Sequence, residues 1–302
     1  MSPEPANRES DGIAGNSDAL IPLPPSEVHL WFAFCDEIRE ERLLCAYREL
    51  LNPQEKEQES RFYFARDRHR YLVTRALVRT VLSRYVSVNP RDWLFSTNAY
   101  GRPYIVNTEA TACRLSFNIS HTQGLIVLGV STGGALGVDV ENLAARSVSI
   151  DVANHYFAPQ EVAALNATAP HQQQYRFFEY WTFKESYIKA RGMGLSLPLD
   201  KFSFHYADDR AVDLVTHPEL GDDPARWQFW QLRPTTDHLL AVCAEKTSTR
   251  LPTLIIRRTI PEVSEKILAQ EFLCTPGLDR SREPAMDAVL IGRRSEIAAW
   301  HR

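Results

Sequence analysis

Two short stretches constrain this chain more than the rest of it. Gly137-Val138-Asp139-Val140-Glu141 alternates apolar residues with acids, the period of a strand that has one face in a core. Successive side chains of a strand point to opposite faces, so Asp139 and Glu141 share a side. The second stretch, Trp181-Thr182-Phe183-Lys184-Glu185-Ser186-Tyr187-Ile188-Lys189, lies in a helix predicted from about 172 to 191 and closed by Gly192 and Gly194. Glu185 and Lys189 then sit one turn apart on one face. A hard cation such as Mg²⁺ binds through a few carboxylates plus substrate phosphate oxygens. An acid pair on a strand, facing a helix that carries Glu and Lys, suits a metal and a phosphate together. Phosphate transfer is the chemistry this pattern points to.

At 302 residues the chain can form two domains or one large one. A net charge of -4 gives no reason to expect nucleic-acid or anionic-membrane binding. Apolar runs such as Leu125 to Val130 are far too short to span a bilayer. The N-terminus lacks the basic-then-apolar pattern of a secretory signal. The five cysteines are scattered without a Cys-x-x-Cys, as expected of reduced thiols in a cytoplasmic protein.

Residues 1–26 have no periodicity and are rich in Pro, Ser, Gly and Asn, which reads as a disordered leader. A first strand is expected over 28–34, with helices over 36–51 and 53–60, the second started by Pro53. From Arg61 to Tyr85 the apolar positions keep a helical spacing. This helix carries Arg61, Arg66, Arg68, Arg70, Arg75, Arg79 and Arg84 against one acid, Asp67. Such a face is either simply solvated or a surface for a multiphosphate ligand or an acidic protein.

A turn at Tyr100-Gly101-Arg102-Pro103 leads into a strand, followed by strands over 117–121, 125–130 and 136–140. Further strands are expected over 202–206, 227–232 and 239–244, then a strand over 254–258 and a helix over 261–272 started by Pro261. Two strand-rich halves, each with a major helix, make an α+β fold with subdomains at 27–134 and 135–249 and an extension of unreadable role at 250–302.

Each constellation also has a plain structural reading. Two acids on a strand can be surface polarity, and Glu185 with Lys189 can be a helix-surface ion pair. Trp181, Tyr187 and Ile188 suit a core, and His121 suits a hydrogen-bonded structural role. The combination favours a ligand site, because Ser120-His121 at a strand end adds a hydroxyl, an imidazole and backbone N–H groups fit for a phosphate. Arg102 on its stiffened turn adds a guanidinium.

Phe117-Asn118-Ile119-Ser120-His121, Gly137-Val138-Asp139-Val140-Glu141 and Trp181-x-x-Lys184-Glu185-x-x-x-Lys189 stand in the order and rough spacing of one family. With Gly194 to Leu199, Tyr100-Gly101-Arg102-Pro103 and the run Arg61 to Arg70, the chain from about Val28 to Ala244 resembles the phosphopantetheinyl transferases of the long, surfactin-synthetase-activating (Sfp-type) kind. The resemblance implies a pseudo-dimer of two similar α+β subdomains, each a small antiparallel sheet packed with a long helix, with the active site between them. It implies a monomer that moves the phosphopantetheine arm of coenzyme A to a serine of an apo acyl or peptidyl carrier protein, releasing adenosine 3′,5′-bisphosphate.

By the same resemblance Asp139, Glu141 and Glu185 hold Mg²⁺, Glu185 accepts the serine proton and Lys189 stabilises the leaving phosphate. Coenzyme A contacts are expected from Arg102, Ser120, His121, Lys184 and Lys189. The relatives place lysines near Pro53, where this chain has Glu55, Lys56 and Gln58. Their task at the 3′-phosphate passes to Lys56, Arg61 or Arg70. Two rival activities fit the same residues: hydrolysis of the coenzyme A diphosphate, and non-catalytic binding of coenzyme A or a carrier.

Overall fold

The computed structural model describes residues 19–145, 147–206, 212–247 and 251–268. The first lobe begins with strand β1 (Glu27–Phe34) and helices α1 (Glu41–Leu50), α2 (Pro53–Arg61) and α3 (Ala65–Leu82). It continues with β2 (Phe95–Thr97), β3 (Pro103–Ile105), α4 (Thr108–Ala112), β4 (Leu115–Thr122) and β5 (Leu125–Thr132). The second lobe comprises β6 (Leu136–Asn142), α5 (Ala153–Tyr156), α6 (Pro159–Ala167), α7 (Pro170–Arg191), β7 (Phe202–Tyr206), β8 (Val212–Thr216), β9 (Trp227–Leu232) and β10 (His238–Glu245). Last come β11 (Thr253–Ile260) and β12 (Ser264–Leu268).

Each lobe packs one principal sheet against one long helix, the expected α+β pseudo-dimer. The first sheet runs β12-β11-β1-β5-β4 and the second β6-β10-β9. The first is mixed: β11 runs parallel to β1, whereas β5 and β4 pair antiparallel. Strand alternation sorts the side chains into three cores. Ile126, Leu128 and Val130 pack with Leu77, Val78 and Val81 of α3. Leu239, Ala241 and Cys243 pack with Phe183 and Tyr187 of α7. Between the sheets, Leu30, Phe32 and Val127 meet Val138, Val140 and Leu240. The layers are therefore helix, sheet, sheet, helix, and burial of both apolar sheet faces is what holds the lobes together.

The edge of β6 is closed in an unusual way. The N–H groups of Val138, Val140 and Asn142 donate to Asn118 Oδ1 (2.8 Å), Ser120 Oγ (3.2 Å) and Thr122 Oγ1 (3.1 Å) of β4. Alternate β4 side chains thus satisfy one edge of the other lobe's sheet, where bare N–H groups would be costly.

Several local expectations are corrected. The helix expected over 61–85 is two helices, because Phe62 and Phe64 adopt extended backbone and Arg61 ends α2. The stretch 36–51 is likewise a single 3-10 turn at Cys35–Glu37 followed by α1. Pro261 starts no helix over 261–268: Glu262 turns at φ 64 and the chain reverses into the hairpin β11–β12. Residues 269–272 of that expectation lie outside the described residues. Residues 253–268 of the extension therefore return to the first lobe and add two strands to its sheet. Residues 19–26, expected to belong to a disordered leader, lie against the protein: Ile21 N–H donates to Arg84 O (2.6 Å), and Thr132 Oγ1 to Leu23 O (3.2 Å).

Candidate active site between the lobes

The end of β4, the middle of β6 and the last turns of α7 converge. α7 can approach β6 so closely because Gly137 has no side chain: a Cβ there would lie 1.9 Å from Ser186 O and 2.5 Å from Ala190 N. That seat brings the polar face of α7 onto Asp139 and Glu141, which the pleat turns towards it. Lys189 Nζ donates to Asp139 Oδ1 (2.7 Å) and to Ser120 Oγ (3.0 Å), and Ser120 Oγ donates to Asp139 Oδ1 (3.3 Å). Asp139 is 5 % exposed, and its second oxygen, Oδ2, is buried with no hydrogen-bond partner.

Glu185 lies one turn before Lys189. Burial and the Asp139 carboxylate push its pKa up to about 7, against the opposing pull of Lys189. Two carboxylates thus face one another across the strand–helix junction, where the Asp139 charge raises the cost of ionising Glu185. On the other face of β4, His121 looks towards α3. Its imidazole is held down to about 4 by burial and by the positive charges of Arg70 and Lys189. Consecutive residues of β4 therefore serve the two lobes: Ser120 reaches the carboxylates and His121 the arginine helix.

Three expected ligand residues are placed otherwise. Lys184 is 0 % exposed, and its three N–H bonds go to Glu161 Oε2, Leu199 O and Phe202 O, each at 2.7 Å. The ammonium has no donor left for coenzyme A, so Lys184 is a core residue of the second lobe. Arg102 sends Nη1 to Ala190 O (2.8 Å) and Nη2 to Leu136 O (3.1 Å). With Asn98, whose Nδ2 donates to Gly192 O (2.8 Å), it caps the end of α7 and ties the lobes. Arg61 is exposed and pairs with Glu57 on its own helix (2.5 Å). Arg70 bonds Asp67 Oδ1 (2.9 Å) and, unlike Arg61, is close enough to depress His121.

Four structural contributors were not expected from the sequence: Asn118 and Thr122 of the side-chain ladder, Gly137 as a seat, and Glu161 opposite Lys184. The run Pro159 to Glu161 carries a helix-start signal, Pro at the first position with Glu at the third, that marks Glu161. Nothing local announces that this carboxylate also reaches Lys184.

Comparison with known proteins gives this arrangement its family. Residues 135–243 match the model of the 4′-phosphopantetheinyl transferase superfamily, and residues 39–133 match that of the 4′-phosphopantetheinyl transferase N-terminal region. A 4′-phosphopantetheinyl transferase of Bacillus subtilis is 35% identical over 205 residues, covering 68% of this chain and 85% of the relative. The transferase Sfp of Bacillus subtilis is 35% identical over 196 residues (64% and 82%), and HetI of a Nostoc species 31% over 228 residues (74% and 92%). The chain belongs to the 4′-phosphopantetheinyl transferase superfamily. It is an enzyme that moves the phosphopantetheine arm of coenzyme A to a carrier protein, and both the hydrolase and the pure binding module give way to that activity.

Membership implies the Mg²⁺-dependent catalysis typical of these enzymes. Among the described residues no trio of His, Cys, Asp or Glu is drawn together tightly enough to hold an ion unaided. The donor set nevertheless fits a hard cation: carboxylate oxygens on one face, with a buried, unpartnered Asp139 Oδ2 among them. No helix among the described residues is long and apolar enough to cross a membrane.

Proposed function

We propose that the cleft between β4, β6 and α7 carries the transfer, with the residues in the following roles. Asp139, Glu141 and Glu185 would hold Mg²⁺ beside the diphosphate of coenzyme A. The chemistry a bound Mg²⁺ supplies there is neutralisation of the diphosphate charge as attacking and leaving oxygens separate. Glu185 accepts the proton of the carrier serine, directly or through one water. The serine Oγ forms the new bond to phosphorus while the bond to the 5′-phosphate of adenosine 3′,5′-bisphosphate breaks. Lys189 stabilises the departing phosphate. Ser120 and His121, with Arg70 behind them, bind the 3′-phosphate.

The observation that carries this reading is the Lys189 bridge between Ser120 Oγ and Asp139 Oδ1, one helical turn from the Glu185 carboxylate. A carboxylate beside a bound cation stays ionised and can accept the serine proton when close enough. The lysine places positive charge where the leaving phosphate must be matched without taking Glu185 from its task. We take the lobes to divide between 134 and 135, and the enzyme to work as a monomer in the reducing cytoplasm, in keeping with the free cysteines Cys35, Cys45, Cys113 and Cys243.

Intact-mass spectrometry tests the reading. An apo acyl or peptidyl carrier protein incubated with the enzyme, coenzyme A and Mg²⁺ should gain the mass of one phosphopantetheine arm. EDTA or Asp139→Ala should abolish the gain. Release of free phosphopantetheine at the same rate without any carrier would mean hydrolysis instead and would sink the reading.

A further inference from the structure

Asp222 lies in the loop between β8 and β9, just after the left-handed turn at Gly221 (φ 56). Its side chain is 1 % exposed, yet it has four side-chain partners. Oδ2 accepts from Tyr187 Oη (2.5 Å) and Trp227 Nε1 (2.7 Å), and Oδ1 from Arg226 Nη1 (3.0 Å). Arg191 Nη1 forms an ion pair with Oδ2 (2.8 Å) and donates to Tyr187 Oη (2.8 Å). Burial pushes its pKa up, but the hydrogen bonds of Tyr187 and Trp227 and the charges of Arg191 and Arg226 prevail and hold the carboxyl below its ordinary value. A loop residue this well supplied with donors is held rigidly, and whatever it grips is held with it.

Two of the four partners, Tyr187 and Arg191, belong to α7. At 3.6 residues per turn each residue advances roughly 100°, so Tyr187 lies roughly 160° around the helix from Glu185 and Lys189, and Arg191 roughly 160° from Lys189 and roughly 120° from Glu185. Asp222 therefore grips the back of the same two turns whose front faces Asp139. On the front the seat is Gly137, where Ser186 O and Ala190 N come within a Cβ's reach of the strand. Lys184 and Arg102 hold α7 at other points, and Asp222 adds a grip at the two turns that carry Glu185 and Lys189. Even a small rotation of those turns would move Lys189 Nζ off Asp139 and Ser120.

We infer that Asp222 is a positioning residue for the transfer: through Tyr187 and Arg191 it fixes the rotation of α7 that aims Glu185 and Lys189 at the cleft. The inference rests on the roles given to those two residues above. It places Asp222 outside the contact set of either substrate, so its loss should act on turnover and leave coenzyme A binding alone.

Steady-state transfer to a saturating apo carrier protein, with Mg²⁺ and varied coenzyme A, separates these effects in full-length enzyme shown by circular dichroism to be folded. Asp222→Asn should lower kcat about tenfold or more, as expected when catalytic groups are misplaced by a fraction of an ångström, and change the KM for coenzyme A less than about twofold. Tyr187→Phe keeps the ring and removes one bond, so a fall of about threefold in kcat alone is expected. Combining the two should be no worse than Asp222→Asn, because they break one shared contact. Arg226→Gln removes a partner of Asp222 that does not touch α7 and should leave kcat as it is.

A folded Asp222→Asn enzyme with wild-type kcat overturns the inference, as does an equal loss in Arg226→Gln. Should Asp222→Asn fail to fold, Tyr187→Phe decides alone: unchanged kcat overturns it, lowered kcat at constant KM supports it. Glu185→Gln run in parallel keeps the two levels apart. Full activity in that variant refutes the base assignment, whereas its loss beside a silent Asp222→Asn refutes only the positioning role.

Discussion

The two long helices use their cationic side chains in opposite ways. On the inner face of α3 and just past its end the charge is consumed by the fold. Arg79 is 0 % exposed, bonds Glu55 Oε2 through Nε (3.0 Å) and Nη2 (2.7 Å), and covers the carbonyls of Pro90 and Trp93. Arg75 also pairs with Glu55, and Arg84 with Glu265 of β12 (3.1 Å). Arg70 is the α3 arginine whose charge reaches His121. Along α7 the division runs between neighbours: Lys184 is sealed in the core on Glu161, while Lys189, five residues on, stands in the cleft on Asp139 and Ser120. Residue type alone does not separate structural from functional cations. The side of the element, and the acid that waits there, does.

The contrast between the two lysines breaks most sharply under one substitution made at each. Lys189→Met should cut kcat by about 10²–10³-fold, in the range seen on loss of one preorganised charge-stabilising donor, with little change in melting temperature. Lys184→Met should do the reverse. Leaving the Glu161 carboxylate buried without its cation, on the N–H groups of Ala158 and Phe204 alone, costs about 3–5 kcal/mol, read as a lowered denaturation midpoint. A Lys184 variant of full stability with weakened coenzyme A binding would return that residue to the ligand set.

Gly137→Ala tests whether the seat of α7 matters as much as its charges. The added methyl meets backbone atoms that cannot turn aside, so a loss of about 1–3 kcal/mol or more is expected along with most of the activity. Normal melting and turnover would show that α7 can stand off the strand at no cost.

A milder test concerns pH. The imidazole of His121 is held at about 4 in the folded protein against an ordinary 6.5, so the unfolded chain takes up a proton first as pH falls. Its contribution to stability is complete above about 6.5 and is lost as pH falls from there towards about 4. The melting temperature of the ligand-free enzyme should drop over that window, and His121→Gln should flatten the drop. An unchanged profile in the variant would mean that His121 is not held neutral.

The smallest effect is expected on the arginine-rich segment. Arg70→Ala should raise the KM for coenzyme A severalfold, whereas Arg61→Ala should leave it almost unchanged, since an exposed i,i+4 pair contributes only about 0.3–0.5 kcal/mol to the helix. Equal effects would place both at the nucleotide.

The strand carrying Asp139 and Glu141 and the helix carrying Glu185 and Lys189 were legible, because the period of each element decides which side chains share a face. The two-lobed fold was legible from the same periodicities and the family likeness. The partner of Lys184 was not legible because its position on α7 does not reveal an acid 23 residues earlier in the chain, at Glu161. The carbonyls that Arg102 caps were not legible because they become its neighbours only when the lobes close. The hairpin at 253–268 was half missed: Pro261 is a helix-start signal in isolation, and only the open edge of β1, which β11 fills, turns it into a strand connection. Asp222 carries no local signal, since its donors come from an earlier helix and from the loop and strand that follow it.

The account stands or falls on Glu185. Intact-mass spectrometry of an apo carrier protein should follow wild type and Glu185→Gln side by side, with calorimetric titration of coenzyme A into both. The expected result is complete modification by the wild type, none by the variant in the same time, and coenzyme A affinity little changed. Near-wild-type modification by Glu185→Gln would contradict the account and move the proton acceptor elsewhere in the cleft.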